Sequence, residues 1–163
     1  MKVYFASDHA GFELKNALVE YVRGLGHEIE DCGPAQFDKN DDYPPLIAVA
    51  ARKLSADSVV GKDSRAIVVG ASGQGEAIVA NRFRGVRCAL YYATTPHTQE
   101  DMSGKTLSIV QGTREHNDSN ALSLGARFVG LDEAKNVVRE WLATPFSKEE
   151  RHVRRIKQID EVA

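Results

Sequence analysis

Apolar residues along this chain follow two rhythms that alternate: short unbroken runs, and stripes at helical spacing. "KVYFAS" (2–7) and "RAIVVG" (65–70) are runs, the second almost wholly apolar, as a central strand of a parallel sheet must be. "HEIEDCG" (27–33) and "VRCALYY" (86–92) are weaker strand patterns, and "ALSLGARFVG" (121–130) holds a short strand ahead of Gly125. Between these lie helical segments. In "GFELKNALVEYVRGLG" (11–26), Phe12, Leu14, Leu18, Tyr21, Val22 and Leu25 form one stripe closed by Gly26. Further helices are predicted over 46–57, from residue 76 into 83, over 131–144 and over 147–163. Residues 34–45 are rich in turn formers and predict a loop. Residues 98–113 fit neither neighbour and read as a long loop or insertion. The β–α–β rhythm predicts one α/β domain over 1–163, a parallel sheet with helices on both faces.

Composition narrows the function classes. The chain has 163 residues, enough for one domain with a real core. A net charge of −2 gives no general pull toward nucleic acid. No apolar stretch reaches membrane-spanning length, and the start "MKVYFASDHAG" lacks a signal-peptide pattern, so a cytoplasmic location without membrane attachment is expected. Cys32 and Cys88 are the only cysteines, without metal-site spacing, and read as structural thiols rather than a disulfide or zinc site.

The candidate chemistry sits at the strand-to-helix turns, where open α/β sheets bind ligands. After "AIVVG", the loop Gly70-Ala71-Ser72-Gly73-Gln74-Gly75 lets backbone N–H groups approach a ligand closely. Such a loop binds a phosphate or an oxyanion, or is a tight connection with no ligand. A dinucleotide fingerprint fits poorly, because Ile78 stands where its third glycine belongs, and no Gly-Lys-Ser/Thr follows to make a P-loop. Glu76 would repel a phosphate there. It reads either as a base beside an oxyanion or as an acid favouring the helix dipole. "SDHAG" (7–11) puts Asp8 and His9 at the same end of the sheet, Asp8 also suiting a helix N-cap. "REHNDSN" (114–120) is a solvated turn or carries His116 as an acid/base group. "EERHVRRIK" (149–157) places Arg151, Arg154 and Arg155 at helical spacing, a solvated basic face or a phosphate clamp. A non-catalytic nucleotide-binding module stays open beside an enzyme.

Together, "SDHAG", "DDYP" (41–44), "GASGQGEAIVANRFRGVRCAL", "REHNDSNALSLGAR" and "RHVRR" (151–155) resemble, in order and spacing, the hallmark segments of the ribose-5-phosphate isomerase B family, which includes galactose-6-phosphate isomerases. The resemblance spans the whole chain. It implies a Rossmann-like three-layer αβα sandwich with a mainly parallel five-stranded sheet. It also implies a homodimer or tetramer with a shared site, a C-terminal helix (147–160) packed on the partner subunit, and no metal or cofactor. The implied activity interconverts ribose 5-phosphate and ribulose 5-phosphate in the pentose phosphate pathway; a six-carbon sugar phosphate is the alternative. Some family members use a cysteine base at the head of the glycine loop, a position that is Gly70 here. Others use a glutamate that matches Glu76. Carried over residue by residue, Glu76 is the base, Ser72 contacts substrate and the amides from Ala71 to Gly75, with Gly70, Gly73 and Gln74 in the loop, hold the enediolate oxygen. His116 assists ring opening with Asp8 on the sugar hydroxyls. Tyr43 and Asn117 line the pocket, and His9, Arg127, Arg151, His152 and Arg155 surround the phosphate. The segment between residues 99 and 114 is several residues longer than the family pattern.

Overall fold

The computed structural model describes residues 1–93 and 95–162. Its elements run β1 (Lys2–Ser7), α1 (Phe12–Gly24), β2 (Glu28–Asp31), α2 (Tyr43–Val59), β3 (Ser64–Gly70), α3 (Gln74–Ala80), β4 (Cys88–Tyr91), β5 (Gln99–Glu100), β6 (Thr106–Leu107), α4 (Ile109–Glu115), β7 (Ala121–Gly125), α5 (Leu131–Ala143) and α6 (Glu150–Ile159). Five strands form one sheet in the order β2-β1-β3-β7-β4, every pairing parallel. The apolar run of residues 65–70 is its central strand, with Ile67, Val68 and Val69 fully buried.

Strand alternation builds two cores. Val3, Phe5, Ile67, Val69, Leu122 and Leu124 face α1 and α5, where Leu18, Val22 and Trp141 meet them. Tyr4, Ala6, Ala66, Val68 and Ala121 face α2 and α3, against Ile47, Ala50, Ala51, Leu54 and Ala80. The small residues on this second face let the helices lie close to the sheet. The result is the expected three-layer αβα sandwich.

Two sequence expectations need correction. The loop predicted over 34–45 ends earlier, because α2 begins at Tyr43 with Pro44 and Pro45 in its first turn. Proline lacks only an N–H that a first helical turn leaves unpaired anyway. Residues 98–113 are not a long loop. They form the antiparallel hairpin β5–β6, followed by α4, which also absorbs Arg114 and Glu115 from the predicted turn. A reciprocal cap starts α4: Ser108 Oγ accepts from the Gln111 N–H, and the Gln111 side chain accepts from the Ser108 N–H.

The chain steps from β1 out to β2 on one side, then crosses back over β1 to β3 on the other. This reversal opens a crevice beyond the carboxyl ends of β1 and β3, the place where such sheets bind ligands.

Candidate active site

The loops after β1, β3 and β7 meet at that crevice. Ala126 N–H donates to Gly70 O at 2.8 Å and Arg127 N–H to Ala71 O at 3.1 Å, which ties the β7 loop to the glycine loop. Gly73 takes a positive φ of 74° and packs against Ser123, whose hydroxyl donates to Gly73 O at 2.6 Å. Ser72 Oγ accepts from the Gln74 N–H at 3.3 Å. The remaining amides of the loop precede the first intrahelical bond of α3, which runs from the Ala77 N–H to Gly73 O. Gln74 is exposed on the first turn. Gly75 carries no side chain because the Tyr43 ring lies over it: a Cβ there would stand 2.7 Å from the ring.

Glu76 is only 4 % exposed and its carboxylate lies directly over Gly70. A Cβ on Gly70 would sit 2.6 Å from Glu76 Oε2 and closer still to Oε1 and Cδ. Gly70 is glycine because the acid of Glu76 fills the space a side chain would need. Burial raises the Glu76 pKa above its ordinary value, the Asp8 charge raises it further, and its own backbone N–H pulls the other way. A carboxylate that holds its proton more tightly is a better base for carbon acids. The cysteines offer no rival: burial pushes the Cys32 thiol up to about 11 and the Cys88 thiol up to about 12.

Asp8 is buried and accepts from the Gly11 N–H at 3.0 Å through Oδ1, the N-cap expected from sequence. His9 is held by Asp41, which sequence reading did not single out. Asp41 Oδ1 contacts His9 Nδ1 at 2.7 Å and accepts from the His9 N–H at 3.1 Å. This hydrogen bond raises the His9 pKa, and Arg127 nearby opposes it. Asp8, His9 and Asp41 bring donor atoms within 4.8 Å of one another, close enough for a cation. However, Asp41 Oδ1 already bonds His9 Nδ1, a contact that favours the cationic form of His9.

The remaining predicted residues lie elsewhere. His116 caps the C-terminus of α4, just before β7 begins. Asn117 is exposed, and its carbonyl accepts from Arg87 Nε at 3.1 Å, beside the start of β4. These residues sit at the amino ends of the strands, one β7 length, about 13 Å, from the glycine loop. Among the described residues no hydrogen bond or ion pair joins the two groups. The His116 ring packs against His152 at a tilt of 44°, with centroids 4.5 Å apart. His152 is buried, pairs with Ser147 Oγ at 2.9 Å, and has its pKa lowered first by burial and then by His116 and Arg151. It therefore supports His116 rather than reaching into solvent. Arg151 is partly buried beside Glu149, while Arg154 and Arg155 are exposed on α6. The structure thus brings Glu76, Asp8, His9, Tyr43, Ser72 and Arg127 to one crevice, and His116, Asn117, His152 and Arg151 to another region.

The sequence profile of the ribose/galactose isomerase family matches residues 3–159. The chain belongs to this family. It is 39 % identical over 161 residues to ribose-5-phosphate isomerase B of Mycolicibacterium paratuberculosis, covering 99 % of this chain and 91 % of the relative. Among solved structures, ribose-5-phosphate isomerase B of Mycoplasma genitalium with bound ribulose 5-phosphate superposes with a TM-score of 0.83 at 31 % identity, covering 99 % of this chain and 95 % of that one. The Clostridium thermocellum enzyme gives 0.82 at 33 % identity, covering 99 % and 97 %. Among the described residues no helix is long and apolar enough to cross a membrane.

Proposed function

We propose that this protein is an aldose–ketose isomerase that interconverts D-ribose 5-phosphate and D-ribulose 5-phosphate, a step of the pentose phosphate pathway, with Glu76 as its base. The observation that carries the reading is the buried Glu76 carboxylate poised over Gly70, on the glycine loop that opens α3, in a chain of this family. Glu76 takes the proton from C2 of the open-chain aldose as the C2–H electron pair forms the C1–C2 double bond. Negative charge moves onto the carbonyl oxygen, where the amides from Ala71 to Gly75 receive it. The O2 proton passes to O1, and Glu76 returns its proton to C1, giving the ketose. One oxyanion donor contributes roughly 3 kcal/mol to such a barrier, and a placed base adds about a hundredfold or more in rate. His9, whose cationic form Asp41 favours, and Arg127 serve the phosphate, and Tyr43 closes the pocket.

The working unit is a homodimer. His116 and Asn117 lie at the opposite end of the strands from Glu76, so their ring-opening and pocket roles require a second copy, whose α6 brings Arg151 and Arg155 to the phosphate. Exposed Ile78 and half-buried Leu90 and Tyr92 around a groove beside α3 and β4 supply apolar surface for that copy. Mixing experiments test both claims. Glu76→Gln and His116→Ala should each be nearly inactive on ribose 5-phosphate. Unfolded and refolded together, they should recover about a quarter of wild-type activity, because half the dimers are mixed and each mixed dimer holds one intact site. No recovery from folded mixed dimers would place both residues in one chain's site. A wild type inactive on ribose 5-phosphate but active on allose 6-phosphate would move the substrate to six carbons.

A further inference from the structure

The hairpin β5–β6 turns its residues the unexpected way round. At its tip Met102 is 89 % exposed, while the Asp101 side chain is only 5 % exposed. A short hairpin gains nothing by hiding an acid and showing a methionine unless the acid meets something inside.

Asp101 uses its oxygens for different tasks. Oδ1 closes the turn, accepting from the Ser103 N–H at 2.8 Å, Ser103 Oγ at 2.6 Å and the Lys105 N–H at 3.0 Å. Oδ2 points the other way, 3.8 Å from His116 Nε2 and 3.9 Å from Arg151 Nη2. His116 Nε2 is itself buried and has no hydrogen-bond partner. Across the ring, Gln99 Nε2 lies 3.5 Å from His116 Nδ1, with Gly112 leaving room for the amide. Lys105 reaches Glu115 Oε1 at 2.8 Å and Oε2 at 2.6 Å, which pins the hairpin to α4 one residue before His116. The hairpin is therefore anchored beside this histidine, with a carboxylate aimed at its unpaired nitrogen.

We propose that Asp101 is a positioning residue for His116: its carboxylate holds the Nε2–H side of the ring and leaves Nδ1 as the acceptor that works on the sugar. This rests on the isomerase reading above and extends it to a residue outside the family's hallmark segments. A carboxylate behind an imidazole selects the tautomer and steadies the cation that forms when the far nitrogen takes a proton. In ring opening, His116 Nδ1 takes the proton of the anomeric hydroxyl, the C1–O4 bond breaks as the C1 carbonyl forms, and O4 leaves with a proton from solvent. Substrate displaces the weak Gln99 contact. The other charged groups facing His116 are His152 and Arg151 on α6, and Arg151 shares Oδ2 with it.

Two variants separate this role from turn formation. Asp101→Asn keeps an oxygen for the Ser103 and Lys105 amides but removes the charge, whereas Asp101→Ala removes both. Positioning predicts that both variants lose about tenfold in kcat on ribose 5-phosphate, with KM within about twofold. Nitrogen-15 spectra of the His116 ring add a readout that does not depend on turnover. The neutral wild-type ring should carry its proton on Nε2, and Asp101→Asn should shift the population toward Nδ1. A turn-forming role predicts instead that Asp101→Asn matches wild type in kcat and tautomer while only Asp101→Ala suffers, and that result overturns the proposal. A wild-type ring protonated on Nδ1 overturns it as well. A wild type with no isomerase activity refutes the functional reading, and the tautomer comparison still decides the role of Asp101.

Discussion

Adding one methyl group at Gly70 should disable the enzyme without unfolding it. In Gly70→Ala the new Cβ would lie 2.6 Å from Glu76 Oε2, and closer to the other carboxylate atoms. Ordinary contact begins at 3.4 Å, so Oε2 must retreat by about 0.8 Å and Oε1 by more. The methyl meets a side-chain terminus rather than backbone, so the sheet has no cause to break. The carboxylate swings instead, and a misplacement of about an ångström in a reacting group costs on the order of a hundredfold in rate. The expectation is a kcat on ribose 5-phosphate about a hundredfold down, with circular dichroism unchanged and KM nearly so. The double variant Gly70→Ala/Glu76→Gln sharpens the test. If the methyl acts only by moving the carboxylate, the double variant is no slower than Glu76→Gln alone, a clear failure of additivity. A Gly70→Ala enzyme within threefold of wild type would refute the reasoning, and so would a double variant showing the product of both losses.

Other substitutions probe neighbouring links. The Glu76 pKa is raised in the folded state, so its ionised form weakens folding above the ordinary carboxylate value of 4.5, and the penalty vanishes in acid. Glu76→Gln should therefore be more stable than wild type at neutral pH, with the gap closing as pH falls through that range in urea titrations. Asp41 raises the His9 pKa, so the His9 charge is present at low pH and is lost as pH rises through the raised value. In Asp41→Asn the alkaline rise in KM should begin at lower pH than in wild type, measured as a KM–pH profile; superimposable profiles would remove Asp41 from phosphate binding. Trp141 is fully buried and donates Nε1–H to Ser119 Oγ at 2.9 Å. Trp141→Ala should cost about 4 kcal/mol and lower Tm by about 10 °C in calorimetry, and a drop under 3 °C would contradict that packing.

Strands and long helices were legible because burial on both faces forces unbroken apolar runs, and burial on one face forces a stripe. Ile67 to Val69 and the Leu18–Val22 stripe are where those rules predict. The hairpin escaped because each of its strands has only two residues, too few to show a period. The α4 start is written in the Ser108–Gln111 pair, but a cap alone does not mark a helix when the apolar stripe behind it is short. Tyr43 looked like loop because the paired prolines after it favour turns as readily as a first helical turn. In the candidate site, Glu76 and the glycines stood out because a carboxylate among loop amides conflicts with plain phosphate binding. Asp41 and Asp101 did not, since each acts through a histidine distant in sequence. The separation of His116 from Glu76 follows from strand direction, which motif spacing does not encode.

The shared volume at residues 70 and 76 also limits which side chains this backbone can carry together. A cysteine at position 70 and a glutamate at position 76 compete for the same space in this backbone. The two positions therefore vary as a unit rather than one at a time, and a library varying both at once should return no active clone that pairs cysteine at 70 with glutamate at 76.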